Sequence, residues 1–352
     1  MNLPLLKLAL PNRVTYVVIL CFEVVSRDKK MPAFLSYASP KGSYRTPKYP
    51  IVLCHGFSGF DQLFMIPAFD KNYVPPLTDK FKSLFNKKIG NAPTLPSMDV
   101  DNHDVVSAGK YLIEYWNGIK SQLEEVGCTV LVAKVPPFAR IETRAHMLDE
   151  FIVSQLPNIR KQHGVPEGRP IKLNLVAHSM GGLDCRYLIH YLQKKKRDKY
   201  QIVSLTTIST PHRGTSAADF ALEYSPESLI RNYFPSVFQL STSFTKVFNR
   251  HIHNDPDVKY FSYASQFTPN PASMFLVTWK IVKDKEGPND GLVSVKSAKW
   301  GKFMGCLDDV DHADLINWMG PVKMAKMALG IPNFNPKWFY MDIMNNLAAH
   351  GL

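Results

Sequence analysis

The chain is poor in the features that would mark several special classes. It carries five cysteines in 352 residues, Cys21, Cys54, Cys128, Cys185 and Cys306, an odd number at wide spacings. No paired CxxC zinc pattern and no secreted disulfide framework can be drawn from them, so the expected setting is intracellular and reduced. No stretch reaches the run of about 18 apolar residues that a membrane-crossing helix needs; the most apolar, residues 14–25, falls short. Acidic residues are the scarcer charge, 30 against 42 Lys and Arg, which leaves a net charge of +12. Such a surplus favours anionic partners. However, there is no RNP-like run and no continuous basic helix, so nucleic acid is not among the expected partners. Repeats and low-complexity tracts are also missing. What remains is 45% hydrophobic and 20% charged, enough for a substantial core and unlike a disordered chain.

Residues 1–30 mix basic and apolar side chains, with Lys7 and Arg13 ahead of the apolar stretch and no acid before Glu23. That mixture fits an organelle targeting segment, or an extension with Met31 as an alternative start. The expected folded domain is 31–352. The basic cluster Lys194-Lys195-Lys196-Arg197 reads first as a solvated helix end, where cations suit the helix dipole. Its functional alternative is attraction to an anionic membrane surface.

Four short apolar runs, 49–54, 128–134, 171–176 and 202–209, read as buried strands, and 258–262 as a fifth. Helical spacing is seen at 111–126, at 141–156 up to Pro157, and at 181–196. Strands alternating with helices imply an α/β fold, a mostly parallel central sheet flanked by helices. Residues 67–109 look like an insertion. Residues 215–256, with Phe220, Tyr224, Tyr233, Phe234, Phe238, Phe244 and Phe248, read as short amphipathic helices. The tail with Trp338, Phe339 and Tyr340 is expected to pack on the body.

The strongest chemical signal is Ala177-His178-Ser179-Met180-Gly181-Gly182, between a strand and a helix. Acyl transfer to a hydroxyl needs the serine raised on a sharp turn, with small residues two positions to either side. Ala177 replaces the usual first glycine but is still small. Ser179 would then start a helix, and the N–H of Met180 could donate to an oxyanion; His55-Gly56-Phe57 offers the N–H of Phe57 as the second donor. His55 itself reads as a loop support. A serine nucleophile needs a base and the base an orienting acid, in the chain order Ser, acid, His. His190, His212, His251, His253 and His350 fall on helices, turns or ends that do not suit. His312, in Asp311-His312-Ala313-Asp314, does. Asp290, in Asn289-Asp290-Gly291, lies in a turn opening into an apolar run and is the expected acid. Asp308, Asp309 and Asp311 crowd the histidine and read as helix caps.

In these stretches, and in Ser209-Thr210-Pro211-His212-Arg213-Gly214, the chain resembles the yeast mitochondrial triacylglycerol lipases, and behind them the bacterial lipases of Pseudomonas and Burkholderia. The motifs run in the family's order from about residue 49 to 318. The resemblance implies the α/β-hydrolase fold with a helical lid over 215–256 and a triad of Ser179, Asp290 and His312. It also implies acylglycerol substrates met at a lipid surface, peripheral membrane contact and a mitochondrial location, with cytoplasm or lipid droplet as the alternative. A phospholipase or acyltransferase on the same triad, or an inactive lipid-binding domain, are the rival functions. The bacterial relatives bind a structural calcium. Asp314 matches one of its ligands, and no second acidic ligand has a counterpart here; no other cofactor is implied.

Overall fold

The computed structural model describes residues 34, 35, 37, 44–57, 62–64, 112–225 and 234–352. The expected targeting segment, the 67–109 insertion and residues 226–233 of the expected lid lie outside them. The chain order of the described elements begins with strands β1 (Phe34–Leu35), β2 (Ile51–Cys54), β3 (Gln62–Phe64) and β4 (Leu112–Glu114). Helix α1 (Ile119–Glu125), β5 (Val130–Val132), α2 (Ile141–His163), β6 (Ile171–His178) and α3 (Gly181–Tyr187) follow. The second half holds β7 (Tyr200–Ile208), α4 (Ser216–Tyr224), α5 (Pro235–Gln239), α6 (Thr242–His251) and β8 (Lys259–Gln266). It closes with α7 (Leu276–Glu286), α8 (Val295–Ala298), β9 (Lys302–Asp308), α9 (Pro321–Ala328) and α10 (Pro336–Ala349).

Seven strands form one sheet in the order β1-β9-β8-β7-β6-β2-β5. Every pairing within it is parallel. β3 and β4 form a separate antiparallel pair. The apolar content of the strands explains the layering, because a parallel strand covered on both faces must be apolar on both. In β2 all four residues are buried. Val52 packs with Leu173 and Leu175 under Ile152, Leu156 and Ile159 of α2. Ile51 and Leu53 face the other way, with Ile119 and Leu123 of α1 and with Phe339, Ile343 and Leu347 of α10. The C-terminal helix thus completes the second layer. Its start is capped by the Asn335 side chain, which accepts from the N–H of Lys337 at 3.0 Å.

Four details differ from the expectations. The 111–126 stretch is not one helix: β4 is followed by a turn, Gly118 adopts φ 65°, and only then does α1 begin. Pro157 does not end α2, which continues to His163 and stops at Gly164, φ 60°. Pro157 is exposed while Leu156 and Ile159 are buried, so packing on the sheet holds the helix through a residue that removes one N–H. The third helix converts after Tyr187 into a π-turn, Leu188–Leu192, and then a 3-10 turn. The basic cluster at its end is not wholly solvated. Lys196 pairs with Asp149, and Arg197 with Asp255 and Asp257, so these two cations tie helix to helix and helix to loop.

Candidate active site

β6 delivers its last residue, His178, to the carboxyl end of the sheet, and α3 starts three residues later. Ser179 occupies the turn between them with φ 54°, a left-handed backbone that costs a non-glycine residue about 1–3 kcal/mol. The surroundings fix it there. Its N–H donates to the Ile208 carbonyl of β7 at 3.0 Å. The turn also needs close approach. A Cβ at Gly181 would stand 2.6 Å from the Cys54 carbonyl oxygen, and one at Gly56 would stand 2.6 Å from the Ser179 Cβ. Glycines at these places let helix α3 and the loop after β2 close on the serine.

His312 and Asp290 meet although 22 residues separate them: His312 Nδ1 lies 2.8 Å from Asp290 Oδ2. The His312 backbone N–H also donates to the Asp290 carbonyl, at 2.9 Å. Asp290 is wholly buried, and its second oxygen accepts from the N–H groups of Leu292 and Val293 at 3.0 and 2.8 Å. With one oxygen taken by these two N–H groups, the carboxylate presents the other to the imidazole as an acceptor. Nδ1 of His312 therefore carries the proton and Nε2 is left to act as base. His312 lies beside the serine turn, its ring centroid 4.5 Å from that of His178. Among the described residues, no hydrogen bond joins Ser179 Oγ to His312. In the absence of substrate such bonds are commonly long and close on binding.

His178 is held by Tyr115, whose hydroxyl lies 2.7 Å from its Nδ1 and accepts from the Gly56 N–H at 3.0 Å. With its acceptor side used, Tyr115 donates to His178, so the proton of His178 sits on Nε2. Burial, and then the neighbouring His312, hold His178 well below the ordinary histidine range, so it stays neutral beside the base. His55 is a loop support as expected: its Nε2 accepts from the Val135 N–H at 3.2 Å.

The second oxyanion candidate, Phe57, packs on the cluster of Ile141, Met180, Leu183, Phe248 and Ile252, on which Leu240 and Phe244 also lie. Helix α6, from the segment read as a lid, therefore shares a hydrophobic cluster with the oxyanion loop. The other histidines lie elsewhere. His190 is hydrogen-bonded to the His253 backbone, His251 to Val247 and His350 to Asn346. His212 is buried, stacked on Trp300 at 5.0 Å and bonded to Thr207. Asp311 caps the turn after the histidine, accepting from the N–H groups of Ala313 and Asp314 at 2.9 Å each.

Asp314 does not fit a calcium site. One of its oxygens holds the Lys323 ammonium at 2.5 Å and accepts from the Asp311 N–H at 2.8 Å. Calcium takes six to eight oxygen ligands. No group of three or more His, Cys, Asp or Glu placed to hold a metal ion exists among the described residues. Burial, with the charge of Asp311, pushes Asp314 up to about 7 against the pull of Lys323.

Arg144 was not visible as a functional residue in the sequence. It is fully buried in α2, on the same face as Ile141, Ala145 and Leu148. It bonds Asp184 of α3 at 2.8 Å and the carbonyls of His55 and Gly56 at 2.8 and 3.2 Å. A cation on a largely apolar helix stripe, which also carries Asp149, is the available signal.

A parallel sheet that raises a strained serine beside a histidine–carboxylate pair defines a serine hydrolase of the α/β-hydrolase fold. The chain belongs to the triacylglycerol lipase family. It is 43% identical over 325 residues to triacylglycerol lipase 2 of Saccharomyces cerevisiae, covering 88% of this chain and 94% of that protein. A triacylglycerol lipase of Burkholderia plantarii is 26% identical over 178 residues, 51% of this chain and 34% of that protein. Residues 132–229 match the family described as "Putative serine esterase (DUF676)". Among solved structures, the lipase of Staphylococcus hyicus superposes with TM-score 0.53 at 16% identity, covering 90% of this chain and 99% of that one. The metagenomic carboxyl esterase MGS0156 gives TM-score 0.58 at 12% identity, over 87% of this chain and 77% of that one. These two likenesses speak for the fold.

Proposed function

We propose that the protein hydrolyses the carboxylic esters of acylglycerols through an acyl-enzyme on Ser179. The observation that carries this reading is the 2.8 Å contact between His312 and buried Asp290, next to a serine at φ 54°. As Ser179 Oγ attacks the ester carbonyl, His312 Nε2 takes the hydroxyl proton, and Asp290 stabilises the imidazolium. The N–H groups of Phe57 and Met180 receive the oxyanion. His312 returns the proton to the leaving glycerol oxygen. It then deprotonates the water that releases the fatty acid and restores Ser179. The yeast relative's name supports acylglycerol as the substrate class. Incubating the purified protein and its S179A variant with a panel of acylglycerols and phospholipids tests it. Release of fatty acid and partial glycerides by the wild type alone is expected. Lysophospholipid as the main product would overturn the substrate assignment.

In this reading residues 215–256 are the lid, and the protein works at a lipid surface. The hydrophobic cluster that Leu240, Phe244 and Phe248 share with Phe57 of the oxyanion loop supports the first. Exposed Val322, Met324, Met327, Leu329 and Ile331, in and after α9 with Lys326 among them, support the second. Replacing Met324 and Leu329 by Asp should reduce sedimentation with anionic vesicles while leaving hydrolysis of dissolved esters intact. The mixed basic and apolar residues 1–30 support a mitochondrial location, which cell fractionation of the tagged full chain would check.

A further inference from the structure

We propose that Arg144 is the positioning residue of the oxyanion hole: it aims the Phe57 N–H at the reacting carbonyl. The inference rests on the serine-esterase reading above and adds a role for a residue that touches no substrate.

The argument begins with the peptide unit. The Gly56 carbonyl and the Phe57 N–H belong to one planar group, and no peptide bond among the described residues is cis, so the two point in opposite directions. Whatever holds the carbonyl also sets the direction of the N–H. The Gly56 carbonyl accepts from Arg144 Nη2 at 3.2 Å, and the preceding carbonyl, of His55, accepts from the same nitrogen at 2.8 Å. Both carbonyls are thus drawn toward one guanidinium, the Gly56 carbonyl accepting also from His55 Nδ1 at 3.0 Å, and the Phe57 N–H is turned away from these donors. The Gly56 N–H is fixed separately by the Tyr115 hydroxyl at 3.0 Å. The loop is therefore clamped at both ends of residue 56, where a side chain is excluded by Ser179.

The guanidinium is itself immobile. Arg144 is 0% exposed; its Nε donates to Asp184 at 2.8 Å and its Nη1 to the Pro136 carbonyl at 2.9 Å. Asp184 lies on α3, the helix that begins at the serine turn. The same side chain therefore references the oxyanion loop to the helix carrying the nucleophile. The planar fork of arginine suits this task, whereas an ammonium at the same place could not reach Asp184 and two carbonyls with fixed directions.

Arg144→Lys and the double variant Arg144→Leu/Asp184→Leu test the inference. The first keeps a cation beside Asp184; the second removes the buried pair together, a change that usually preserves folding. Wild type is first treated with a fluorophosphonate. Labelling at Ser179 secures the esterase reading, and failure of labelling defeats that reading rather than this one. Given labelling, we expect both variants to fold with kcat lowered roughly 10- to 100-fold, within the range for losing one oxyanion donor, and KM changed less than about threefold. Inhibition by an alkyl boronic acid, which forms a tetrahedral adduct, should weaken in parallel. Folded variants that keep kcat and boronate affinity within about threefold would overturn the proposal. So would an effect confined to melting temperature.

Discussion

Replacing Asp290 by Asn tests the triad through a change of a single group. The side chain keeps its shape, and its oxygen can go on accepting from the N–H groups of Leu292 and Val293, now 3.0 and 2.8 Å away. The amide NH₂ is then the group that faces His312 Nδ1 at 2.8 Å. A donor there forces Nδ1 to accept, which moves the imidazole proton to Nε2, the atom that must be bare to receive the Ser179 proton. The imidazolium also loses its buried counter-charge. An asparagine swap of this kind in another serine hydrolase lowers kcat about 10⁴-fold, equivalent to roughly 5 kcal/mol of transition-state stabilisation. The same order is expected here for kcat on a dissolved short-chain ester, with KM little changed. Thermal unfolding should move by only a few degrees, because the packing and the two backbone bonds survive. A variant that folds and keeps more than about a tenth of wild-type kcat would refute the assignment of Asp290.

Gly181→Ala should destabilise the protein by about 1–3 kcal/mol and lower kcat as well, since the new methyl meets a backbone carbonyl at 2.6 Å; urea unfolding and ester kinetics would measure both. His212 is held well below 6.5 by burial and then by Arg186. Its contribution is therefore full at neutral pH and is lost as pH falls below 6.5, where the unfolded chain binds a proton that the folded one refuses. The variant His212→Gln should lose this dependence. The stability gap between wild type and variant then narrows by up to about 1.4 kcal/mol per pH unit below that point, read from urea midpoints at several pH values. Exhaustive dialysis against EDTA should leave melting temperature and activity unchanged, because Lys323 already holds the carboxylate that a calcium ion would need. A drop restored by calcium alone would contradict that.

Legibility in the sequence followed how local the cause of each feature was. The serine turn was readable because its requirements, small residues flanking a serine between an apolar strand and a helix, fall within six consecutive positions. Asp290 and His312 were readable from chain order and from the turn residues around them, although their meeting is a tertiary event. Strands β2, β5, β6 and β7 stood out as apolar runs. β9 did not, because Lys302, Gly305 and Asp308 dilute its pattern, and β1 pairs through only two residues. The continuation of α2 past Pro157 depends on burial of Leu156 and Ile159 against the sheet, which no propensity encodes. Arg144 was the least readable: its role arises from four chain segments brought together, and its place on a mostly apolar helix stripe does not say what it holds.

The most direct test of the account is the site of covalent labelling. The wild-type protein, treated with an alkyl fluorophosphonate and digested, should yield one modified peptide, with the phosphonate on Ser179 and loss of ester hydrolysis in proportion to its occupancy. Full hydrolytic activity in a sample whose Ser179 is completely modified, or modification at a different serine that tracks inactivation, would contradict it.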